Sequence, residues 1–365
     1  MPDDLLYKIG ITLIPSIGSV NGKKLVSYCG GAEAVFRESR KALLKIPGIG
    51  ESTVNNIVNH SVLSRAEKEI SFIKKYNIKP LFYTDEEYPR RLFHCDDGPV
   101  MLYYQGNQSL NYKRMLAVVG TRRSTPYGRT QCEKIIEGLK NKGVMIVSGL
   151  AYGIDSCAHK NALSYHLPTV GVLGHGLDRL YPAENRNLAA SMMENGGLLT
   201  EFLSGTTPDR ENFPKRNRIV AGMTDATLVV ESRIKGGAII TADIAFSYSR
   251  DVFAVPGRTE DVYSKGTNFL IKTNRAALVE SADDIIRLTG WEDDDEKPVS
   301  QPELFVNLSD DEKILMDILT EDGETGIDEL MAKSKIPVSQ VSSLLLNLEF
   351  RGLVISLPGK RYKLR

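Results

Sequence analysis

The chain has 365 residues, 42% hydrophobic and 25% charged, a length for two or three globular domains and a composition that is neither fibrous nor disordered. Lys and Arg number 46, and so do Asp and Glu, so there is no overall basic excess and any attraction to nucleic acid has to be local. No apolar run approaches the roughly 20 residues that span a bilayer, and the acidic start MPDDLLYKIG lacks the basic leader of a secretory signal, so a cytoplasmic protein without membrane contact is expected.

In chain order, the first segment repeats itself. Ile14-Pro15-Ser16-Ile17-Gly18 returns as Ile46-Pro47-Gly48-Ile49-Gly50. Helical patterns flank each copy, at 5–13 and 23–29 and then at 34–44 and 52–63. Helix, tight turn and helix make a helix-hairpin-helix, so residues 1–75 are expected to form a SAM-like helical domain. Gly-rich turns of this kind turn backbone N–H groups outward, where a phosphate can sit. Lys23 and Lys24 follow the first turn, but Glu51 follows the second. Both a phosphate-binding pair and a purely structural copy fit that pattern.

From 80 to 290 short apolar runs alternate with helical stretches. Strands are expected at 115–119, 144–147, 168–173, 198–200, 226–230 and 251–254. Helices are expected at 128–142, 154–165, 184–195, 215–222 and 241–249. Unbroken apolar runs suit strands buried on both faces, and the β/α alternation predicts an α/β, Rossmann-like, doubly wound and mainly parallel sheet. Residues 291–304, acidic with two prolines, read as a linker. Residues 305–365 carry helical patterns at 309–319, 327–334 and 338–352 and then a hairpin pattern, the plan of a winged-helix domain.

Ligands of a doubly wound sheet bind beyond the carboxyl ends of its strands. The segments there share one chemistry. Gly120, Thr121, Arg122 and Arg123 follow the first strand. Ser148 and Gly149 follow the second, and Gly174 and His175 the third. The fourth leads to Arg210, Phe213, Lys215, Arg216, Asn217 and Arg218, and the fifth to Glu231, Arg233 and Gly236-Gly237. Glycines admit a phosphate, arginines hold it, and an aromatic ring can stack a base, which is what a single strand requires. Phe213 also fits a second role, as core anchor of the helix after it. His159 and the caps Asp155 and Asp178 read as structural, while His175 between two glycines could touch a ligand. No GxGxxG, Walker loop or nucleophile–base pair occurs. Cys29, Cys95, Cys132 and Cys157 are scattered and read as reduced thiols. No catalytic residue, metal or cofactor is expected.

These motifs resemble the DNA-processing protein A (Smf) family of bacterial recombination mediators. The similarity runs continuously over about 110 to 280, through Val118-Val119-Gly120-Thr121-Arg122-Arg123, Val147 to Asp155, Gly174-His175-Gly176, Phe213-Pro214-Lys215-Arg216-Asn217-Arg218 and Phe253-Ala254-Val255-Pro256-Gly257. The resemblance implies a non-enzymatic homodimer, joined through the Rossmann-like domain, that binds single-stranded DNA and loads a RecA-type recombinase in natural transformation. It implies a strand pocket built on Arg122, Arg210 and Phe213. Thr121 stands where the family usually has Ser, and Gly236-Gly237-Ala238 replaces its commoner hydroxyl-bearing turn. Two rival readings are weaker. A nucleoside-monophosphate hydrolase would use Glu231 as its acid but lacks the phosphate turn of such enzymes. A transcription regulator would need a basic third helix at 338–352, and Arg351 is its single basic residue.

Overall fold

The computed structural model describes residues 2–292, 308–357 and 361–364. The chain divides into two compact units, Met1–Glu292 and Asp293–Arg365.

The first unit opens with helices α1 (Pro2–Leu13), α2 (Ser19–Cys29), α3 (Ala32–Arg37), α4 (Arg40–Leu43), α5 (Glu51–Val58) and α6 (Leu63–Lys75). The repeated pentapeptides form matching turns. Ile17 N–H donates to Ile14 O at 3.2 Å and Ile49 N–H to Ile46 O at 3.1 Å. Both turns place their third residue at positive φ, Ser16 at 67° and Gly48 at 80°. The helix expected over 34–44 is broken in two because Ser39 turns extended and its Oγ accepts from Ala42 N–H, capping α4. The pattern at 52–63 likewise stops at Val58, and α6 follows as a separate helix.

Nine strands form one sheet: β1 (Lys79–Phe82), β2 (Met101–Gly106), β3 (Arg114–Val119), β4 (Val144–Ser148), β5 (Thr169–Val172), β6 (Gly196–Thr200), β7 (Ala226–Val229), β8 (Asp251–Ala254) and β9 (Ala277–Leu278). Their order is β1-β2-β6-β5-β4-β3-β7-β8-β9. The run from β6 to β9 is parallel, while β2 pairs antiparallel with both β1 and β6. The parallel core is the expected one. The antiparallel edge had no clear signal, since β1 begins Lys-Pro, a pair tolerated only at a sheet edge where no ladder N–H is needed.

Helices α7 (Arg90–Phe93), α8 (Pro126–Gly138), α9 (Ile154–Ser164), α10 (Arg186–Glu194), α11 (Asn212–Gly222), α12 (Gly237–Ser247), α13 (Lys265–Lys272) and α14 (Ala282–Thr289) complete the unit. Alternate strand residues point to opposite faces. Met115, Ala117 and Val119 of β3 therefore pack with α11 and α12 residues Ile219 and Ala242. Leu116 and Val118 pack with α8 and α9 residues Ile135 and Ala158. The N-terminal helices close a third core over Phe82, Met101 and Tyr103 at the antiparallel edge. Trp291, read from sequence as the first linker residue, instead packs into the core beside Ile285 and Ile286. The rest of that linker, from 293, lies outside the described residues.

The second unit holds α15 (Asp310–Asp322), β10 (Thr325–Gly326), α16 (Ile327–Ser334), α17 (Val338–Phe350), β11 (Val354–Leu357) and β12 (Arg361–Leu364). Its three strands run in the order β10-β12-β11. Leu315, Leu319, Leu330, Val341, Leu345 and Leu348 form its core, which is the winged-helix plan. Arg351 bonds Glu312 at 3.3 Å, so the one basic residue of the third helical pattern faces its own domain. The expected hairpin is present on both sides of residues 358–360, which lie outside the described residues.

Candidate nucleic-acid interface

In the strand order β5-β4-β3-β7-β8 the chain runs outward one way from β3 and then returns to β7 on its other side. Loops leaving the two strands separate there, which opens a crevice at the switch point. A cleft of about 540 Å³ occupies it, lined by Gly120, Thr121, Arg122 and Arg123 after β3 and Gly149 and Ala151 after β4. Arg210, Phe213, Arg216 and Asn217 line it from the α11 side, and Ser232, Arg233, Gly236, Gly237 and Tyr263 from the far side.

The cleft is cationic and aromatic. The Arg122 guanidinium lies 5.0 Å from the centroid of the Phe213 ring, and Tyr181 approaches that ring at 6.3 Å. Arg122, Arg123 and Arg210 are exposed, and none of the three pairs with a carboxylate among the described residues. Gly120 is required because a Cβ there would meet Ile154 of α9 at 2.5 Å. Thr121 fixes the turn: its N–H donates to Glu231 O at 2.8 Å, and its Oγ1 accepts from Arg123 N–H at 3.1 Å.

Beneath the cleft the support is buried. Arg216 is 6% exposed and its Nη1 donates to Val172 O at 3.1 Å, while its Nε has no partner. Asp155 faces it across Gly149, whose missing side chain would strike the guanidinium. Burial pushes the Asp155 carboxyl up, and the charge of Arg216 opposes that rise. His159 is fully buried between Thr169 Oγ1 at 2.7 Å and Gly149 O at 2.5 Å. The carbonyl can only accept, so Nε2 carries the proton. Burial lowers the imidazole to about 4, so it is neutral and braces the Gly149 backbone.

Four expected site residues, Ser148, Gly174, Lys215 and Arg218, do not line the cleft. Ser148 is fully buried, with its hydroxyl donating to Val118 O at 2.6 Å. Lys215 and Arg218 leave α11 on another side. Residues 213, 216, 217 and 220 share the helix face toward the cleft, a spacing that excludes 215 and 218. Arg218 is tied to Glu201 and to the Asp97 carbonyl. Gly174 lies outside the cleft too but supports it, since a Cβ there would meet the Phe213 ring at 3.2 Å. His175 is buried and holds the loop around Tyr181, whose N–H donates to its Nε2 at 3.2 Å. Glu231 accepts from the Thr125 N–H at 2.9 Å and hydroxyl at 2.5 Å at the start of α8, and is not a cleft residue. Arg233 and Tyr263 do line the cleft and were not among the expected site residues. Arg233 had a visible signal as the arginine of the fifth loop, whereas Tyr263 lies past β8, in a segment with no motif.

The helix-hairpin-helix turns differ. Lys24 Nζ donates to Pro47 O of the second turn at 2.8 Å, and Asn56 of α5 donates to Pro15 O of the first at 3.0 Å. Lys23 Nζ donates to Cys95 O at 3.1 Å, and burial holds its ammonium below the usual range. Lys24 and Asn56 stitch the two hairpins to each other, and Lys23 is held by a carbonyl beyond them. Among the described residues no cluster of His, Cys, Asp and Glu is arranged to hold a metal ion, and no helix is long and apolar enough to cross a membrane.

A mainly parallel, Rossmann-like sheet whose switch-point crevice carries arginines and rings, in place of a dinucleotide's glycine turn, defines the class of the chain as a doubly wound α/β protein. Within that class the chain belongs to the DNA recombination-mediator protein A family, which matches residues 79–290, and residues 296–360 match the DprA winged helix domain. It is 32% identical to the protein Smf of Synechocystis sp. over 98% of each chain. It is 41% identical to the DNA processing protein DprA of Streptococcus pneumoniae over 55% of this chain and 71% of that one. The X-ray structure of the Streptococcus pneumoniae protein superposes with a TM-score of 0.67 at 32% identity, over 77% of this chain and 97% of that one. A structure of DNA processing protein A from Helicobacter pylori, concerned with its single-stranded DNA binding mode, superposes with a TM-score of 0.53 at 29% identity, over 58% and 95%.

Proposed function

We propose that this chain binds single-stranded DNA in the switch-point cleft and passes it to a RecA-type recombinase during DNA uptake and recombination. It does so in the cytoplasm, as a homodimer joined through the Rossmann-like domain, with no catalytic turnover. The observation that carries the reading is the Arg122 guanidinium held over the half-buried Phe213 ring beside Arg210, with neither arginine paired to a carboxylate among the described residues. Fixed charge for a phosphate next to a ring for a base is single-strand chemistry. The single-strand binding described for the Helicobacter pylori relative supports it. Exposed apolar side chains on α12 and α13, Phe246 and Phe269, suit contact with a second copy.

The test is a fluorescence titration of a labelled single strand with the parent chain and with Arg122→Ala, followed by a recombinase-filament assay on the same strand. The parent should bind and speed filament formation, and the variant should do both worse. Incubation with nucleoside monophosphates and DNA should leave them intact by chromatography. A product lost in Glu231→Gln would overturn the non-enzymatic reading.

A further inference from the structure

We propose that the β7 side of the same cleft is a second single-strand subsite, built from Arg233 and Tyr263, which holds the stretch of strand next to the one bound at Arg122 and Phe213. The proposal rests on the single-strand reading above and extends it along the cleft.

The Arg233 guanidinium lies 4.9 Å from the centroid of the Tyr263 ring, and its Nη2 donates to the Tyr263 hydroxyl at 3.2 Å. This repeats the arrangement of Arg122 over Phe213, at 5.0 Å. Phe213 rests against Gly174 after β5, and Tyr263 follows β8. In the order β5-β4-β3-β7-β8 the two rings therefore flank the switch point, and one cleft joins them. Arg233 is exposed and pairs with no carboxylate among the described residues. Tyr263 is held in place: Ser232 N–H donates to its carbonyl at 2.6 Å, and Gly266 N–H donates to Ser232 O at 2.8 Å.

The space beside this pair is open, since a Cβ on Gly237 would meet nothing within 4 Å. The cleft is also lined by the buried Arg216, whose Nε is unpartnered, and against its five arginines the lining has a single acid, Asp155, buried beside Arg216. An anionic backbone suits such a lining better than a neutral ligand does. A guanidinium held over a ring still has N–H groups to offer a phosphate, at Arg233 those other than the one given to the Tyr263 hydroxyl, and the ring beside it can take a base. Two such platforms on either side of one cleft fit two parts of one strand, whereas a mononucleotide would use one and leave the other empty.

The experiment titrates the full chain with oligothymidylates of about 4 and about 16 nucleotides, the span of single-strand site sizes. Arg233→Ala should weaken the long oligomer about tenfold and flatten its salt slope by about one unit, while shifting the short one less than about twofold. Tyr263→Ala should weaken the long oligomer about tenfold with its slope unchanged, and Tyr263→Phe, which keeps the ring, should restore most of the loss. Melting temperatures equal to the parent's separate these effects from misfolding. If Arg122→Ala weakens binding but Arg233→Ala and Tyr263→Ala behave as the parent with both oligomers, the second subsite is wrong and the first stands. Equal weakening of short and long oligomers by Arg233→Ala would mean one site and not two. A parent that binds neither oligomer would remove the single-strand reading itself.

Discussion

Lys23 and Lys24 follow a tight Gly-containing turn in the helical segment, and Arg122 and Arg123 follow Gly120 at the end of the sheet. The two regions look alike in sequence, with small residues for close approach and a cation pair behind them. Their cations have opposite fates. Both lysines donate to carbonyls of the chain itself, whereas both arginines stand exposed over an open cleft. A basic residue beside a glycine turn is thus only half of a phosphate site, and the other half is the lack of an internal acceptor within reach.

The largest effect should come from beneath the cleft. Arg216→Ala leaves Asp155 buried without its compensating charge, which should cost about 3–5 kcal/mol of stability in a urea titration. Adding Asp155→Ala should recover part of the loss, and no recovery would mean that the two groups are not coupled. Within the cleft, Phe213→Ala should weaken single-strand binding by about 1–3 kcal/mol with an unchanged salt slope, because stacking releases no counterions. Arg122→Ala should instead reduce that slope by about one unit. A fall in melting temperature that tracks the lost affinity of Phe213→Ala would make the ring a core anchor.

His159 sharpens the comparison through pH. Its folded value, near 4, lies below the ordinary 6.5, so as pH falls the unfolded chain takes up the proton first. Stability should decline between about pH 6.5 and about 4, by at most about 1.4 kcal/mol per unit, and the contribution of this group should level off below that. Urea midpoints for the parent and His159→Gln check it, with a flatter profile expected for the variant. The smallest effect belongs to the helical region. Lys24→Ala should lose about 1 kcal/mol of stability with its hydrogen bond to Pro47 and leave single-strand affinity unchanged. A marked loss of affinity would return the hairpins to the binding surface.

The parallel core was legible because β3, β4 and β7 are short, mostly apolar runs with turn signals after them. The edge was not, because Lys-Pro at the start of β1 gives no strand pattern. At the site, position at the sheet end brought Arg122, Arg210 and Phe213 into view among other candidates, and only the family resemblance grouped these three as one pocket. Ser148, Lys215 and Arg218 could not be sorted, since only the rotation of α11 and the inward turn of the last residue of β4 decide which side chains reach the cleft. Tyr263 was illegible because its place in the cleft lining depends on a carbonyl held by Ser232, a contact between the segments after β7 and β8 that leaves no pattern in the sequence.

The most direct test of the central claim is a titration of labelled single-stranded against blunt duplex DNA of the same sequence, at two salt concentrations. The account predicts tighter binding of the single strand at both, with affinity falling as salt rises, because exposed arginines meet phosphates while the Phe213 ring needs an unpaired base. Equal affinity for the two forms at matched salt would contradict it.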